Sequence, residues 1–357
     1  MSEGSRQAIR GRGASDNPPN RFERLHYADP VDTDDPDDEG PSPRTQLYRD
    51  TSRTIISTND SPDVGFDASI NPYRGCEHGC VYCYARPYHE YLGLSAGLDF
   101  ETKLFVKEDA AELLRKELSN PRWEPKLLSL SGVTDAYQPV ERRLGITRAC
   151  LEVLAEFRNP VSIITKNHLV ARDIDILADM ARDNAACVVL SVTTLDKELQ
   201  RTMEPRASTA EMRLDAVRAL ADAGVPVGVM VAPIIAGLTD HEIPSILNAA
   251  AEAGAQFAGY TVLRLPLGVA PLFEQWLDQH VPTRKEKVLN RIREMRDGRL
   301  NDSRFKYRMK GEGIFAEQIG ALFKMARKKA RIGAEYPQLS IQAFRRPHPN
   351  GQLGLFG

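Results

Sequence analysis

Short apolar runs alternate with longer segments of helical periodicity along most of the chain. The runs that predict strands are Ala68–Asn71, Leu127–Ser131, Val161–Thr165, Cys187–Val192, Pro226–Ala232 and Phe257–Leu263. The segments that predict helices are Lys107–Leu118, Ile146–Phe157, Ala171–Arg182, Ala210–Ala223 and Glu242–Ala253. A repeated strand and helix order is typical of a parallel sheet with helices on its outside. Six such units predict an α/β fold, a partial (β/α)6 barrel.

Composition divides the chain into four regions. Residues 1–55 are rich in Pro, Gly, Asp and Arg and carry a run of acids between residues 29 and 39, so they cannot bury a core. They are predicted to form a flexible N-terminal arm, either solvated or laid across the mouth of the active site. The other regions are the barrel at 56–282, a basic helical extension at 283–331 and a C-terminal tail at 332–357.

Length and charge limit the possible classes of protein. A chain of 357 residues that is 42% hydrophobic buries one large core, with or without a smaller appendage. Its net charge of −2 excludes a uniformly basic coat for nucleic acid. The sequence shows no signal peptide, and its longest apolar stretch, Val225–Leu238, is interrupted by Gly and Pro and is too short for a bilayer. We therefore expect no membrane association and a reducing, cytoplasmic location.

Positive charge is concentrated between residues 284 and 331, where sixteen Lys or Arg stand against six acids. A stripe of this kind favours contact with phosphate groups. Nucleic acid is therefore the partner that we expect for this region.

The cysteines Cys76, Cys80 and Cys83 carry the strongest chemical signal in the chain. Three thiolates hold an iron–sulfur cluster while leaving one iron without a protein ligand, whereas electron-transfer clusters take four. The alternative is a zinc ion held by these thiols and His78, although zinc sites normally draw their ligands from two separated pairs. If a cluster binds here, His78 is expected to face solvent or to lie behind the ligands.

This C-x3-C-x2-C spacing, with an aromatic residue on each side of the third cysteine, resembles the radical S-adenosylmethionine (SAM) enzymes. The flanking segments 71–76 and 83–86 resemble more narrowly the branch that contains spore photoproduct lyase and its uncharacterised relatives, and the similarity extends over residues 56–265. The resemblance implies that the cysteines bind a 4Fe–4S cluster, that this cluster binds SAM, and that Tyr82 lies on the adenine side. It also implies that one electron, from a donor such as flavodoxin or ferredoxin, cleaves SAM to a 5′-deoxyadenosyl radical.

Polar residues follow the predicted strands at the ends that converge in a barrel. Asp135 is a candidate partner for the ammonium group of the methionine portion or for substrate, and the resemblance favours Lys166 as the partner of the carboxylate. Ser191 is a second candidate for that carboxylate, and Arg206 for the cofactor or a phosphate. The alternatives are turn or cap roles for the first three residues, and an ion pair with Glu204 for Arg206.

The chain departs from the lyase branch at one functional position. The lyase returns a hydrogen atom to its product through a cysteine some tens of residues beyond the motif, and this chain has no cysteine between Cys83 and Cys150. Cys150 and Cys187 lie in apolar patterns typical of buried core cysteines. Repair of spore photoproduct is therefore not expected, even with a shared fold and cofactor.

The C-terminal residues Gln352, Leu353, Leu355 and Phe356 resemble the motif by which bacterial polymerases and repair proteins bind the sliding clamp. The alternative is that the tail folds back onto the barrel. With the basic region, this motif favours a radical SAM enzyme that acts on DNA or another nucleic acid, as a repair-like lyase or in modification. Two other hypotheses are a radical SAM enzyme that modifies a protein or small metabolite, and a non-catalytic clamp-associated adaptor with a structural metal site.

Overall fold

The computed structural model describes residues 8–22 and 43–347. Its strands are β1 (Gln46–Arg49), β2 (Ile56–Thr58), β3 (Ala68–Ile70), β4 (Tyr73–Arg74), β5 (Lys103–Val106), β6 (Leu128–Leu130), β7 (Val161–Thr165), β8 (Ala186–Val192), β9 (Val227–Ile234) and β10 (Phe257–Val262). Its helices are α1 (Leu98–Thr102), α2 (Ala110–Ser119), α3 (Glu141–Leu144), α4 (Ile146–Phe157), α5 (Ile174–Arg182), α6 (Lys197–Met203), α7 (Ala210–Asp222), α8 (Ile243–Glu252), α9 (Val269–His280), α10 (Lys285–Glu294), α11 (Tyr307–Lys310) and α12 (Gly313–Lys329).

The strands form two sheets. In the larger one, β3 and β6 to β10 run parallel and lie side by side in chain order, while β2 pairs antiparallel with β3. In the smaller one, β5 pairs in parallel with β1 and antiparallel with β4. Among the described strands β2 and β10 are not paired with each other, so the larger sheet is an open, partial barrel.

The predicted α/β fold with six parallel strands is confirmed. Each predicted strand ends within two residues of an observed one, and each predicted helix within three. The pattern missed the helices α6 and α9 and the shorter elements β1, β2, β4, β5, α1 and α3. β5 has four residues and belongs to the smaller sheet, so it lacks the long buried run that marks a central parallel strand.

The core lies between the sheet and its outer helices. All seven residues of β8 are buried, as expected for a parallel strand that is covered on both faces. Cys150 on α4 and Cys187 on β8 are 0% and 3% exposed, which confirms that both are core cysteines. Burial raises the pKa of the Cys150 thiol to about 12, so it is inert as a nucleophile at neutral pH.

The carboxyl ends of the parallel strands form the edge that we call the mouth. One part of the basic extension lies beside the mouth and the other does not. Arg296, just after α10, donates hydrogen bonds to the carbonyl oxygens of Val262 and Leu263 at the end of β10. α12 instead packs against α8 on the outside of the barrel. The residues from α10 to α11 are therefore beside the mouth, whereas α12 is not.

The described part of the predicted N-terminal arm makes extensive contacts. Residues 8–22 lie against the cysteine loop and α1, and β1 belongs to the smaller sheet. The solvated alternative therefore does not fit these residues, and the boundary at residue 55 stays a prediction. The acidic run at residues 29–39 lies outside the described residues, as do Gln352, Leu353, Leu355 and Phe356. None of the helices within residues 8–22 and 43–347 is both long enough and apolar enough to cross a bilayer.

Candidate active site

The cysteine loop leaves β4 and runs over the mouth beside the first parallel strand. Its backbone is held at both ends, since Cys76 N–H donates to Phe100 O at 2.9 Å and Val81 N–H donates to Met203 O at 3.0 Å. Cys76 and Cys80 are buried and Cys83 is partly exposed. The sequence motif therefore forms a loop whose backbone is fixed and which carries three free thiols, two of them buried.

Gly79 is required by the conformation of this loop. Its φ is +65°, and a Cβ there would lie 2.7 Å from Oε2 of Glu101. Glycine adopts this backbone region without strain and leaves room for the carboxylate. The loop can therefore approach Glu101 closely only with glycine at this position.

The thiols have the properties of unloaded cluster ligands. Burial raises the pKa of Cys76, Cys80 and Cys83 above the usual value, and the negative charges of Asp135 and Glu204 raise it further at Cys76 and Cys80 respectively. Binding of metal must therefore release protons, and the thiolates then need positive charge from the bound group. An iron–sulfur cluster supplies that charge to thiolates from one loop. The residues present fit a cluster with three protein ligands.

The zinc alternative with His78 fits the geometry less well. His78 is 1% exposed, so of its two expected positions it does not face solvent. Its Nε2 lies 3.1 Å from the side-chain amide of Asn167, and its Nδ1 lies 3.4 Å from Oδ2 of Asp135. Both ring nitrogens are thus occupied. Within the described residues, no three His, Cys, Asp or Glu side chains converge on a single metal ion, and a cluster does not require that convergence because each thiolate binds a different iron.

Asp135 joins the ends of two neighbouring strands. Its carboxylate accepts hydrogen bonds from Thr165 Oγ1 at 2.7 Å and from Lys166 N–H at 2.8 Å, both at the end of β7. Burial by itself raises the pKa of Asp135, but the facing His78 ring and the Lys166 N–H lower it below the usual value overall. The carboxylate is therefore kept ionised beside the cysteine loop, and its role toward an ammonium group or a substrate stays a prediction.

Lys166 extends into the mouth and contacts groups from other strands. Its Nζ donates to the carbonyl oxygen of Ala232 at 2.9 Å and lies 3.7 Å from Oε1 of Glu204. It also lies 5.9 Å from the centre of the Tyr82 ring. One ammonium group has three hydrogens to donate, so these contacts leave it able to bind a carboxylate as well. Its role toward the methionine carboxylate stays a prediction.

Glu204 is the centre of a buried polar cluster that the sequence did not single out as a site. Its carboxylate accepts hydrogen bonds from Tyr82, from Arg213 and, at 2.6 Å, from Thr193 Oγ1. Burial by itself raises the pKa of Glu204, but Arg213 and Lys166 outweigh it and lower the value to about 2. Tyr82 is thereby locked by its hydroxyl, with its ring next to Cys80 and Cys83.

The predicted site residues Ser191 and Arg206 have partners other than the carboxylate of Asp135. Ser191 is buried at the end of β8, and its carbonyl oxygen accepts a hydrogen bond from Arg213. Arg206 pairs with Glu77 at 3.1 Å, so the suggested ion pair with Glu204 was wrong; Glu204 pairs with Arg213 instead. Thr209 caps α7, since its side chain accepts a hydrogen bond from Met212 N–H. The cofactor roles of Ser191 and Arg206 stay predictions.

The outer side of the cysteine loop is covered by residues 8–22. Gly13 N–H and Ala14 N–H donate to the two carboxylate oxygens of Glu101 at 3.1 and 2.9 Å. Glu101 also pairs with Arg86 at 2.6 Å, and both side chains are fully buried. Arg86 in turn donates to the carbonyl oxygen of Cys80 at 3.0 Å. The N-terminal segment therefore supports the loop through one buried ion pair.

Comparison with known proteins identifies the family. Residues 70–250 match the family model of the radical SAM superfamily, which covers half of the chain. The chain belongs to the radical SAM superfamily. The expectation from the cysteine motif is therefore confirmed, and this chain is a radical SAM enzyme.

Two proteins that resemble this radical SAM enzyme in sequence are described as uncharacterised. A protein of Mycobacterium tuberculosis is 37% identical over 234 residues, which cover 64% of this chain and 67% of that protein. A protein of Methanocaldococcus jannaschii is 28% identical over 222 residues, covering 62% and 79%. Among solved structures, a point variant of spore photoproduct lyase aligns with a TM-score of 0.53 and 16% identity over 80% of this chain and 78% of that one. This last likeness concerns the fold alone.

Membership in the superfamily gives the cofactors. Radical SAM enzymes use a 4Fe–4S cluster and SAM, and they need a reductant. When bound, the reduced cluster supplies the electron that breaks a carbon–sulfur bond of SAM and gives the 5′-deoxyadenosyl radical. In this chain Cys76, Cys80 and Cys83 would hold the cluster. Asp135 and Lys166 present opposite charges beside it, and the outer N-terminal segment excludes water from the back of the loop.

Replacing Gly13 by Ala is expected to lower the free energy of unfolding by about 1–3 kcal/mol, because the added Cβ would overpack the interface. That Cβ would lie 1.7 Å from the carbonyl oxygen of Gly79, so the segment or the loop must move. The measurement is urea unfolding of the unloaded protein. Gly65→Ala is the matched control, since a Cβ at Gly65 meets no atom within 4 Å. Equal stability of the two variants would contradict the close contact between Gly13 and the loop.

Proposed function

We propose that this radical SAM enzyme acts on a nucleic acid, as a repair-like lyase or in modification. The observation that carries the proposal is the position of the basic segment from α10 to α11. It borders the mouth, where Lys287 and Arg291 lie against the Gly237 loop after β9 and Arg296 binds the end of β10. A polyanion bound to this segment would lie next to the cysteine loop.

Several of the cations on this segment are available to a partner. Arg299, Lys306 and Lys310 are exposed, and none of the three forms an ion pair with a described residue. Exposed unpaired cations keep their full charge for phosphate contacts. Lys310 Nζ lies 5.5 Å from the centre of the Tyr260 ring. We infer that the three contribute to binding more than to folding, since an exposed cation without an ion pair adds little to stability. Flavodoxin or ferredoxin as reductant stays a prediction.

The test is DNA binding by fluorescence anisotropy as a function of salt. A triple variant of Arg299, Lys306 and Lys310 to Gln is expected to bind more weakly. The slope of its log affinity against log salt should be smaller by about one for each phosphate group that it no longer neutralises. The matched control replaces Lys324, Lys328 and Lys329 on α12, which changes the net charge equally but away from the mouth. We expect the control to retain most of the affinity.

Three results would oppose the proposal. These are absence of binding to any oligonucleotide, binding that does not depend on salt, and an equal loss of affinity in the two triple variants. The first would favour a protein or a small metabolite as substrate. Formation of 5′-deoxyadenosine in the same preparations establishes that the cofactor site is intact, so loss of DNA binding cannot be mistaken for loss of the cluster.

A further inference from the structure

Arg264 lies just beyond the end of β10, and its guanidinium stands over the ring of Tyr84 at 4.5 Å from the centroid. Tyr84 directly follows Cys83, and its hydroxyl donates to the carbonyl oxygen of Gly132 at 3.0 Å. The tyrosine is 38% exposed. A fixed aromatic ring and a stacked cation are thus presented to solvent at the edge of the cysteine loop.

Arg264 forms no ion pair with a carboxylate of the described residues, although the carboxylate of Asp63, which pairs with Arg308, acts on it from a greater distance. No carboxylate pairs with its guanidinium, and no described group accepts a hydrogen bond from it. This is unusual for a side chain that is only partly exposed, because arginines in such positions normally have bidentate partners. Five N–H donors therefore remain available at this point of the mouth.

Two further arginines add to the positive charge around Arg264. Arg308 is committed to Asp63 at 2.6 Å, so it has a partner. Arg296 is fully buried, and its Nη1 has no hydrogen-bond partner although Nε and Nη2 bind Leu263 O next to Arg264. Only one of these three guanidinium groups is paired with a carboxylate of the described residues. The guanidinium groups of Arg308 and Arg264 thus share the single carboxylate of Asp63, so the cluster has room for a further anion.

Aromatic side chains surround the same position. Tyr88 and Phe305 are 55% and 51% exposed, and the guanidinium of Arg308 lies 4.7 Å from the centre of the Phe305 ring. Exposed aromatic rings interleaved with arginines are typical of sites that stack unpaired bases and track a phosphate backbone. A base within a duplex cannot reach such rings, because its faces are already stacked.

We propose that Arg264 and Tyr84 form a subsite for one unstacked nucleotide, in which Arg264 binds the phosphodiester and the aromatic rim stacks the base. This inference rests on the proposed action on nucleic acid and specifies the form of the substrate: a single-stranded or extrahelical nucleotide. Since Tyr84 adjoins Cys83, a nucleotide held there is next to the cofactor. A small carboxylate would need the guanidinium alone and would leave the aromatic rim without a role.

The test compares Arg264→Gln with the parent protein in anisotropy measurements on a fluorescent single-stranded oligonucleotide and on its duplex. We expect an approximately tenfold loss of affinity for the single strand, with a salt slope smaller by about one, and a smaller loss for the duplex. Arg264→Lys keeps the charge but loses the planar stack. Its affinity for the single strand is expected to lie between that of the parent and that of Arg264→Gln, and this variant also controls for misfolding. Arg218→Gln, which removes an exposed arginine on α7, is the matched control.

The outcomes separate this inference from the proposed function. If Arg264→Gln binds the single strand as tightly as the parent while the triple variant of Arg299, Lys306 and Lys310 still weakens binding, the subsite is wrong and the proposed function stands. If no form of the protein binds any oligonucleotide, both fail. If Arg264→Gln weakens SAM binding in equilibrium dialysis and leaves oligonucleotide binding unchanged, Arg264 serves the carboxylate of the cofactor, which also overturns the subsite.

Discussion

Replacing Cys76, Cys80 and Cys83 together by Ala is expected to abolish both iron binding and formation of 5′-deoxyadenosine. The three thiols are the predicted ligands of the cluster that this superfamily uses, and the fixed loop offers no substitute, because both ring nitrogens of His78 are already engaged. The measurement is anaerobic reconstitution with iron and sulfide, reduction with dithionite, and assay of iron, sulfide and 5′-deoxyadenosine after addition of SAM.

The control for this experiment uses the other two cysteines. Cys150→Ala and Cys187→Ala remove thiols that are buried in the core, far from the loop in sequence. The double variant is expected to retain full iron content and cleavage of SAM, although it loses some stability from the small cavities left behind. Stoichiometric iron in the triple variant, or loss of iron in the double variant, would show that the ligands have been assigned wrongly. Zinc bound to the parent protein in place of iron would favour the hypothesis of a non-catalytic adaptor with a structural metal site.

Replacing Glu204 by Gln is expected to lower the free energy of unfolding by about 3–5 kcal/mol, because it leaves a buried cation without its counter-charge. Arg213 is 1% exposed at its side chain and Glu204 is fully buried, so water cannot replace the lost charge. The same change frees Tyr82 and Lys166 from the carboxylate that orients them. We therefore expect cleavage of SAM to fall as well, even in protein that is still folded.

The measurement is chemical unfolding over a range of pH. The pKa of Glu204 lies near 2 in the folded protein against an ordinary value of 4.5, so its contribution is complete above pH 4.5 and is lost as the pH falls toward 2. Glu204→Gln should lack this part of the pH dependence. The matched control is Glu198→Gln, which breaks an exposed ion pair with Arg201 and should cost less than about 1 kcal/mol. Equal costs for the two variants would contradict the central role of Glu204.

The chain lacks the hydrogen-donating cysteine that the lyase branch has beyond the motif, and the part of the chain that the structure describes offers no replacement for it at the mouth. The fold is shared with spore photoproduct lyase, but the cysteines outside the loop are core residues on α4 and β8. Neither is placed to return a hydrogen atom at the mouth. These residues therefore support a reaction on nucleic acid whose last step differs from that of photoproduct repair.

Most of the barrel could be predicted from sequence because its signals are local. Buried parallel strands are mostly apolar, and the prediction Val161–Thr165 matched the observed strand residue for residue. The three thiols lie on one loop, so the resemblance of their motif to that of the radical SAM enzymes could be recognised in the sequence itself. Asp135 and Lys166 followed from a general rule, since strand ends in a parallel barrel converge.

Only the tertiary structure decided the contacts between residues that are far apart in the chain. Glu204 meets Tyr82 across 122 positions, Gly13 meets Glu101 across 88, and Arg264 reaches Tyr84 from a different strand end. The partner of Arg206 also could not be predicted from sequence, because Arg206 pairs with Glu77 and not with its sequence neighbour Glu204. A polar side chain gives no sequence signal of the partner that it will find. That choice follows from burial, which obliges each charge to be satisfied by whatever the fold brings within reach.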